Sequence, residues 1–166
     1  MKRLLFLCAI MVASLPYANA QNKAYYHGEF ELGYSSSVGN VAIDRFNFHL
    51  INGISLNDYF ACGIGIGIDG YTYLKQIYHV LPVYANMKGF IPANDNITPY
   101  ISLSCGIGFG ISEYISKESG LSLESSIGMR LFENYKLEIG YHSQRISNEG
   151  LGINLGAIQL KVGFMF

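Results

Sequence analysis

Beyond its first 20 residues, the chain has little charge and no apolar run that could cross a membrane as a helix. Charged residues make up 14% of the 166 residues, compared with about 25% in ordinary soluble domains. Hydrophobic residues reach 50%, yet a membrane helix needs roughly 20 of them in succession. This combination argues against an ordinary soluble domain and against a helical membrane protein.

The first 20 residues predict export. Lys2 and Arg3 form a positive region, an apolar stretch follows, and residues 18–20 (Ala-Asn-Ala) match the small-x-small pattern of a signal peptidase site. The apolar stretch is too short to span a membrane. We therefore expect a cleaved signal peptide at residues 1–20 and a single domain at residues 21–166.

The charge balance of the exported domain argues against a nucleic-acid partner. Lys2 and Arg3 leave with the signal peptide, so nine Lys and Arg remain against twelve Asp and Glu. A domain that binds nucleic acid requires a basic patch. We expect no nucleic-acid partner.

Residues 21–166 alternate apolar side chains with small or polar ones in eight segments. Period-two alternation is the main sequence signal for β-strands, and about 9–11 such residues cross a membrane as a strand. The predicted strands are residues 25–35, 43–55, 59–69, 78–90, 99–111, 120–132, 136–145 and 156–166.

The two faces of these strands predict a membrane barrel. Lipid cannot satisfy an unpaired backbone edge, so strands with apolar faces in an exported chain close into a barrel. The fold class is therefore all-β, an eight-stranded antiparallel up-and-down transmembrane β-barrel. The residues expected to point inward include seven charged ones, namely Glu29, Glu31, Lys88, Glu124, Arg130, Glu138 and Lys161.

The interior of an eight-stranded barrel is just large enough to be filled by side chains. If Asn134 centres the turn between the sixth and seventh strands, Arg130 faces Glu138 and the two can pair inside the barrel. Lys161 can pair in the same way with the glutamates of the first strand. Such pairs would fill the interior, so we expect no open pore.

The last strand has the most specific pattern. Residues 158–166 read Ile-Gln-Leu-Lys-Val-Gly-Phe-Met-Phe, with alternate apolar residues and an aromatic end at Phe166. With the eight predicted strands, this makes the chain similar to the small outer-membrane β-barrel family of Gram-negative bacteria, which includes the OmpA transmembrane domain and OmpX-like proteins. The resemblance covers nearly all of residues 21–166.

The resemblance implies a location and partners. It implies that the chain lies in the cell outer membrane with both termini on the periplasmic side. It also implies that the barrel-assembly machinery recognises the strand ending at Phe166, and that lipids including lipopolysaccharide surround a monomeric barrel. Members of the family act as structural barrels, adhesins or resistance factors, and their outer loops largely decide which.

The leading functional hypothesis is a filled, non-enzymatic barrel that has a structural or surface-interaction role through its outer loops. These links are predicted at residues 36–42, 70–77, 112–119 and 146–155, and their composition identifies no partner. Six tyrosines are expected at the membrane interfaces, where such barrels carry aromatic girdles: Tyr25, Tyr26, Tyr34, Tyr71, Tyr73 and Tyr78. For Tyr71 and Tyr73, an adhesion surface on a loop is the alternative.

A second hypothesis is a lipid A deacylase-like hydrolase that uses Ser147 with His142. Outer-membrane lipid A deacylases resemble the chain in size and fold and have a His-x-Ser-Asn motif near the C-terminus. Residues 145–148 read Arg-Ile-Ser-Asn instead, and arginine cannot act as a general base. The alternative is a structural role for His142, packed inside the barrel among Glu138 and Gln144. Because the motif lacks its histidine, we assign no catalytic residue.

A third hypothesis is a soluble ligand-binding barrel of the lipocalin type, with its apolar face turned inward. The outer surface would then carry glycine, serine and few charges, which is less charge than a soluble protein needs. The terminal Phe166 would also have no purpose in such a protein.

Two further motifs have simple structural explanations. Residues 65–70 match the Gly-x-Gly-x-x-Gly pattern, but a dinucleotide site needs a helix directly after it. We expect these glycines to make room for Tyr84 inside the barrel, and no cofactor. His27, His49 and His79 lie on different segments without the spacing of metal ligands, so no metal site is expected.

Cys62 and Cys105 are the cysteines outside the signal peptide. Both fall on outward faces, with the fourth strand between them, so they are about 10 Å apart at the usual strand spacing. A disulfide needs Cα atoms within about 7 Å. We expect both to be reduced residues that face lipid.

Overall fold

The computed structural model describes residues 24–38, 43–73, 76–92, 96–111, 119–148 and 151–166. The predicted signal peptide lies outside this part of the chain. The described residues form eight strands: β1 (Tyr25–Ser37), β2 (Asp44–Asn57), β3 (Phe60–Tyr73), β4 (Gln76–Phe90), β5 (Ile97–Gly110), β6 (Ser119–Leu131), β7 (Tyr135–Asn148) and β8 (Leu151–Met165). They contain no helix long and apolar enough to cross a membrane.

The strands form a closed antiparallel barrel in chain order. Each pairs with its neighbours in sequence, and β1 closes the ring against β8, from Glu29 opposite Met165 to Ser37 opposite Ala157. Because closure leaves no free edge, the backbone groups of the wall are satisfied within it. The predicted eight-stranded, up-and-down, all-β fold is confirmed.

The barrel has two different ends. At the end near Phe166, residues 58–59, 91–96 and 132–134 join the strands; we name this the turn end. The opposite end, where β1 connects to β2 and β5 to β6, is the loop end.

The strands reach further toward the loop end than the alternation predicts. β3 continues to Tyr73 and β4 starts at Gln76, while β7 continues to Asn148 and β8 starts at Leu151. The predicted links at 70–77 and 146–155 are therefore wrong for the most part, since only two residues separate the strands in each case. Backbone pairing continues there although the alternation of apolar residues has faded.

The alternation correctly predicts which side chains face inward. Ile64 and Ile127 on the outside are 67% and 62% exposed, whereas Glu29 and Lys88 on the inside are each 1% exposed. This is the reverse of a lipocalin-type barrel, which would hold its apolar face inside. Cys62 and Cys105 are free thiols on the outward faces, as predicted.

Two inward glycines make room for tyrosine rings. A Cβ atom on Gly65 would lie 2.3 Å from ring atoms of Tyr84, and one on Gly128 would lie 2.4 Å from the ring of Tyr100. The structural explanation of the Gly-x-Gly-x-x-Gly pattern is thus confirmed. No helix follows the pattern, because β3 continues through it to Tyr73.

The turn between β6 and β7 differs from the prediction by one residue. It comprises residues 132–134, and the register pairs Arg130 with Lys136 and Gly128 with Glu138. The predicted pair of Arg130 and Glu138 is wrong for this reason. The guanidinium of Arg130 instead lies over the ring of Phe90, with its Cζ 5.1 Å from the ring centroid.

A small apolar floor closes the interior at the turn end. Ala61, Phe90, Tyr100 and Met165 form a buried cluster, and the rings of Phe90 and Tyr100 have centroids 5.5 Å apart. The polar interior lies above this floor.

The wall has one interruption, between β3 and β4. Pairing runs without a change of register from Ile66 opposite Val83 to Asp69 opposite Val80, but Gly67 and Pro82 between them are not paired. Proline has no amide hydrogen to donate to the neighbouring strand. The gap is therefore a direct consequence of Pro82.

Candidate functional site

The candidate site is the polar interior, because it holds most of the acidic, basic and histidine side chains of the described residues. Five acidic and four basic side chains are buried there together with three histidines. The acidic residues are Glu29, Glu31, Asp69, Glu124 and Glu138, the basic residues are Arg45, Lys88, Lys136 and Lys161, and the histidines are His27, His49 and His142.

Lys136 on β7 is the centre of an ion-pair network in the half of the interior nearer the turn end. Its Nζ lies 2.7 Å from Glu29 Oε2 and 3.1 Å from Glu138 Oε2, and it also contacts Glu31 Oε1. These partners come from β1 and β7. One ammonium thus crosslinks strands on either side of β8.

Two more lysines extend this network around the barrel. Lys88 on β4 lies 2.6 Å from Glu29 Oε1. Lys161 on β8 lies 3.1 Å from Glu31 Oε2 and 2.5 Å from Glu124 Oε1. The predicted pairing of Lys161 with a glutamate of the first strand is confirmed. We name these three lysines and the glutamates of β1, β6 and β7 that they contact the lysine network.

Tyr100 joins the lysine network to the apolar floor. Its hydroxyl donates to Glu138 Oε2 at 2.8 Å, and Ser126 donates to the other oxygen of this carboxylate at 2.8 Å. The ammonium groups of Lys88 and Lys136 each lie 5.8 Å from the centroid of the Tyr100 ring. Glu138 is therefore held by an ion pair and two hydroxyl donors.

Arg45 on β2 forms a second cluster nearer the loop end. Its Nη1 donates to Tyr71 Oη at 2.9 Å and to His142 Nδ1 at 2.6 Å. Its Nη2 donates to Ser35 Oγ at 3.2 Å and to Gln159 Oε1 at 3.3 Å. We name these five residues the arginine cluster. Each of them is buried inside the barrel.

The position of Tyr71 corrects two expectations. It is 6% exposed and points into the barrel, so neither an interfacial position nor an adhesion surface fits it. The reason is the greater length of β3, in which the alternation that places Asp69 inside also places Tyr71 inside. The side chain of Tyr73 lies outside the part of the structure that is described.

Comparison with known structures identifies the type of barrel. Neisserial surface protein A matches with a TM-score of 0.61 and 12% identity, over 87% of this chain and 98% of that one. The N-terminal β-barrel domain of OprF from Pseudomonas aeruginosa matches with a TM-score of 0.57 and 12% identity, over 87% and 100%. The chain has the fold of a small outer-membrane β-barrel.

This fold does not decide whether the protein is an enzyme. The outer membrane enzyme PagL also matches, with a TM-score of 0.54 and 11% identity, over 83% of this chain and 98% of that one. No protein-family model matches the chain, and no curated protein is significantly similar to it in sequence. Catalysis has therefore to be judged from the side chains of this barrel.

Among the described residues, the interior contains one serine–histidine pair. The histidine of this pair has its ring proton on the nitrogen that faces the serine, which does not suit catalysis. Ser122 Oγ lies 2.8 Å from His142 Nε2, while His142 Nδ1 faces the guanidinium of Arg45. A guanidinium can only donate, so Nδ1 accepts and the ring proton lies on Nε2. His142 thus donates to Ser122, whereas a nucleophilic serine needs a histidine that accepts its proton.

The pair proposed from the sequence, Ser147 with His142, is separated along one strand. Both belong to β7, and Ser147 pairs with Gly152 beyond the part of the strand that holds His142. Five residues of a strand span about 16 Å. The side chain of Ser147 is outside the described structure.

The prediction of a structural His142 inside the barrel is correct for the position of this residue and wrong for its partners. It is buried inside the barrel as expected, but it contacts Arg45 and Ser122. Glu138 lies four residues along β7 toward the turn end, within the lysine network. Gln144 instead donates to the backbone oxygen of Gly120 at 3.0 Å.

The other interior histidines are hydrogen-bond partners of carboxylates. His27 Nε2 lies 2.7 Å from Glu29 Oε1, and His49 Nε2 lies 2.8 Å from Asp69 Oδ1. Within the described ranges, no three His, Cys, Asp or Glu side chains are grouped so that they could hold a metal ion.

Arg45, Asp69, Tyr100 and Lys136 are interior residues that the sequence analysis did not single out. The alternation of inward and outward positions along each strand, its parity, is the signal that could have identified them. Arg45 has the parity of His49, and Lys136 that of Glu138. Parity gives the face, but it does not give the partner across the barrel.

Proposed function

We propose that the protein is an integral outer-membrane barrel with a filled, non-porin interior, which has a structural or surface-interaction role through its loop end. The observation that carries this proposal is the pairing of an apolar exterior with a buried network of charges. Lipid is the solvent that suits such an exterior. The lysine network and the arginine cluster occupy the space that a pore would need.

The proposal includes an orientation and a processing step. The orientation is the one that the resemblance implies, with both termini on the periplasmic side. Longer loops of bacterial barrels face outside, and the longest link between strands, residues 111–118, lies at the loop end. Residues 1–20 would be removed as a signal peptide, leaving residues 21–166. Assembly would use the strand that ends at Phe166, and the monomeric barrel would contact lipids including lipopolysaccharide.

Membrane fractionation combined with gel migration tests the proposal. The full-length chain is expressed in a Gram-negative host, and the outer membrane is separated from the periplasm. We expect the protein in the outer membrane, and we expect the unheated sample to migrate faster in detergent gels than the heated one. Recovery in the soluble periplasm without detergent would overturn the proposal.

A further inference from the structure

An apolar groove runs across the outer wall near the loop end. Its volume is about 750 Å³, within the range of roughly 300–1,000 Å³ that is typical of small-molecule sites. The side chains that form it come from β1–β4 and β8, and include Phe46, Phe48, Ile68, Ile77, Leu160 and Val162.

Gly70 lines this groove. It faces outward on β3, between Phe46 on β2 and His79 on β4 in the pairing register. A Cβ atom placed on Gly70 would meet no heavy atom closer than 3.7 Å, the nearest being Cγ2 of Ile77. The position thus has room for a side chain that the sequence does not supply.

A second groove adjoins the first across Tyr34. Its volume is about 430 Å³, and it is lined by Ser36, Ile158 and Leu160 among others. Tyr34 lines both grooves, and its ring centroid lies 5.1 Å from that of Phe46. Two elongated apolar depressions therefore lie side by side in the same part of the wall.

The cationic side chain of Arg145 lies beyond the second groove, toward the loop end. Arg145 is exposed on the outward face of β7, four residues past Tyr141, which pairs with the groove residue Ile158. Four strand residues span about 13 Å. The exposed carboxylate of Asp44 accepts a hydrogen bond from Tyr34, between the two grooves, so an anion would be repelled there and favoured near Arg145.

We propose that the two grooves and Arg145 bind one molecule of lipid A, with acyl chains in the grooves and a phosphate at the guanidinium. This inference rests on the proposed function, since that orientation places the loop end in the outer leaflet. The grooves are part of the lipid-facing wall, so an acyl chain is the group that reaches them. Two adjoining grooves suit a lipid with more than two chains, and Arg145 suits a phosphate because guanidinium and phosphate pair by charge and hydrogen bonding.

Native mass spectrometry of the folded barrel in detergent tests this site. The protein, extracted from the outer membrane of the host, is titrated with hexa-acylated lipid A and, separately, with dipalmitoyl phosphatidylethanolamine. We expect one lipid A to bind about tenfold more tightly than the phospholipid. Gly70→Ile, which fills the groove, and Arg145→Gln, which removes the cation, are each expected to weaken lipid A binding by about fivefold or more.

Gly89→Ile is the matched control. Gly89 also faces outward with no heavy atom within 4 Å of a Cβ atom, but it lies near the turn end of β4. We expect this variant to bind lipid A like the original chain. Heat-dependent gel migration verifies that each variant is folded.

Three results would overturn the site: equal binding of the two lipids, unchanged binding by Gly70→Ile, or equal losses in Gly70→Ile and Gly89→Ile. If the barrel is recovered from the outer membrane in its heat-modifiable form, these results count against the site alone. Recovery from the soluble fraction would instead overturn the proposed function, and this site with it.

Discussion

At the scale of single residues, the ammonium of Lys136 lies among three carboxylates of the interior. It neutralises carboxylates that belong to β1 and β7, and all of them are buried. Removing one member of a buried ion pair leaves an uncompensated charge and costs about 3–5 kcal/mol.

Lys136→Met is therefore expected to lower the free energy of unfolding by about 3–5 kcal/mol. Urea titration in lipid vesicles, followed by the heat-modifiable gel band, measures this change. Arg130→Met is the control, because Arg130 is less buried and makes one side-chain hydrogen bond of 3.5 Å, to Thr98. Equal urea midpoints for Lys136→Met and the original chain would contradict the role of the lysine network.

The proton arrangement at His142 leads to a prediction about chemistry. We expect lipid A from cells that express His142→Ala, Ser122→Ala or Ser147→Ala to have the same mass spectrum as lipid A from cells with the original chain. An empty-vector strain provides the reference. Loss of an acyl chain in cells with the original protein, restored by any of these substitutions, would show a hydrolase and contradict the tautomer assigned to His142.

At the scale of the strand, the interruption at Pro82 has a measurable cost. Replacing proline restores an amide donor toward Gly67, and a backbone hydrogen bond contributes about 0.5–1.5 kcal/mol. Proline also restricts the unfolded chain, so the comparison needs a second proline. Pro92 is exposed and lies outside the strands, so its replacement restores no donor to a ladder.

Pro82→Ala is accordingly expected to be more stable than Pro92→Ala by about 0.5–1.5 kcal/mol, because the unfolded-state effect is common to both substitutions. Urea unfolding of the two variants in the same vesicles measures the difference. If Pro92→Ala is the more stable variant, the interruption of the β3–β4 ladder has no energetic consequence.

The end of β8 gives the second prediction at this scale. Phe166 exchanges two backbone hydrogen bonds with Gly28, of 2.7 and 2.9 Å, and its ring lies 6.1 Å from that of Tyr26. We expect Phe166→Ser to lower the amount of barrel in the outer membrane severalfold, because the closing strand loses its last outward contact. Phe132→Ser, at an exposed phenylalanine in a turn of the same end, is expected to leave that amount unchanged.

Immunoblots of separated outer membranes measure both variants. Equal amounts of Phe166→Ser and Phe132→Ser in the outer membrane would contradict the role assigned to the closing strand.

The strands also show what the sequence can and cannot reveal. Alternation predicts the face of Ile64, Glu29 and Lys161, because the period of a strand is fixed at two residues. It fails at Tyr71, where apolar residues no longer mark the strand although backbone pairing continues. A three-residue turn likewise cannot be centred from composition alone, and this one-residue error moved the partner of Arg130.

Interior contacts between strands that are not neighbours in the sheet could not be predicted. Lys136 and Glu29 lie on β7 and β1, which are not neighbours in the sheet. Their meeting depends on the stagger of the strands around the closed barrel, and the sequence of a single strand does not contain this information. The sequence thus predicts the polar interior of the site but not its network.

At the scale of the whole molecule, the structure is a membrane barrel whose interior is packed like a protein core. The apolar floor, the lysine network and the arginine cluster follow one another from the turn end toward the loop end. Each is buried, and together they leave the outer wall and the loop end as the surfaces available to partners. Function is therefore expected on the outside of this barrel.

The outer wall of the barrel is expected to contact lipid. Spin labelling of Cys105, with Cys62 replaced by serine, tests this contact, since Cys105 faces outward in the middle of β5. In membranes, we expect molecular oxygen to relax the label strongly and a water-soluble nickel chelate to have little effect on it. A label at Phe132→Cys in the exposed turn should respond to the nickel chelate. Strong relaxation of the Cys105 label by nickel would place this wall in water and rule out a lipid-facing barrel exterior.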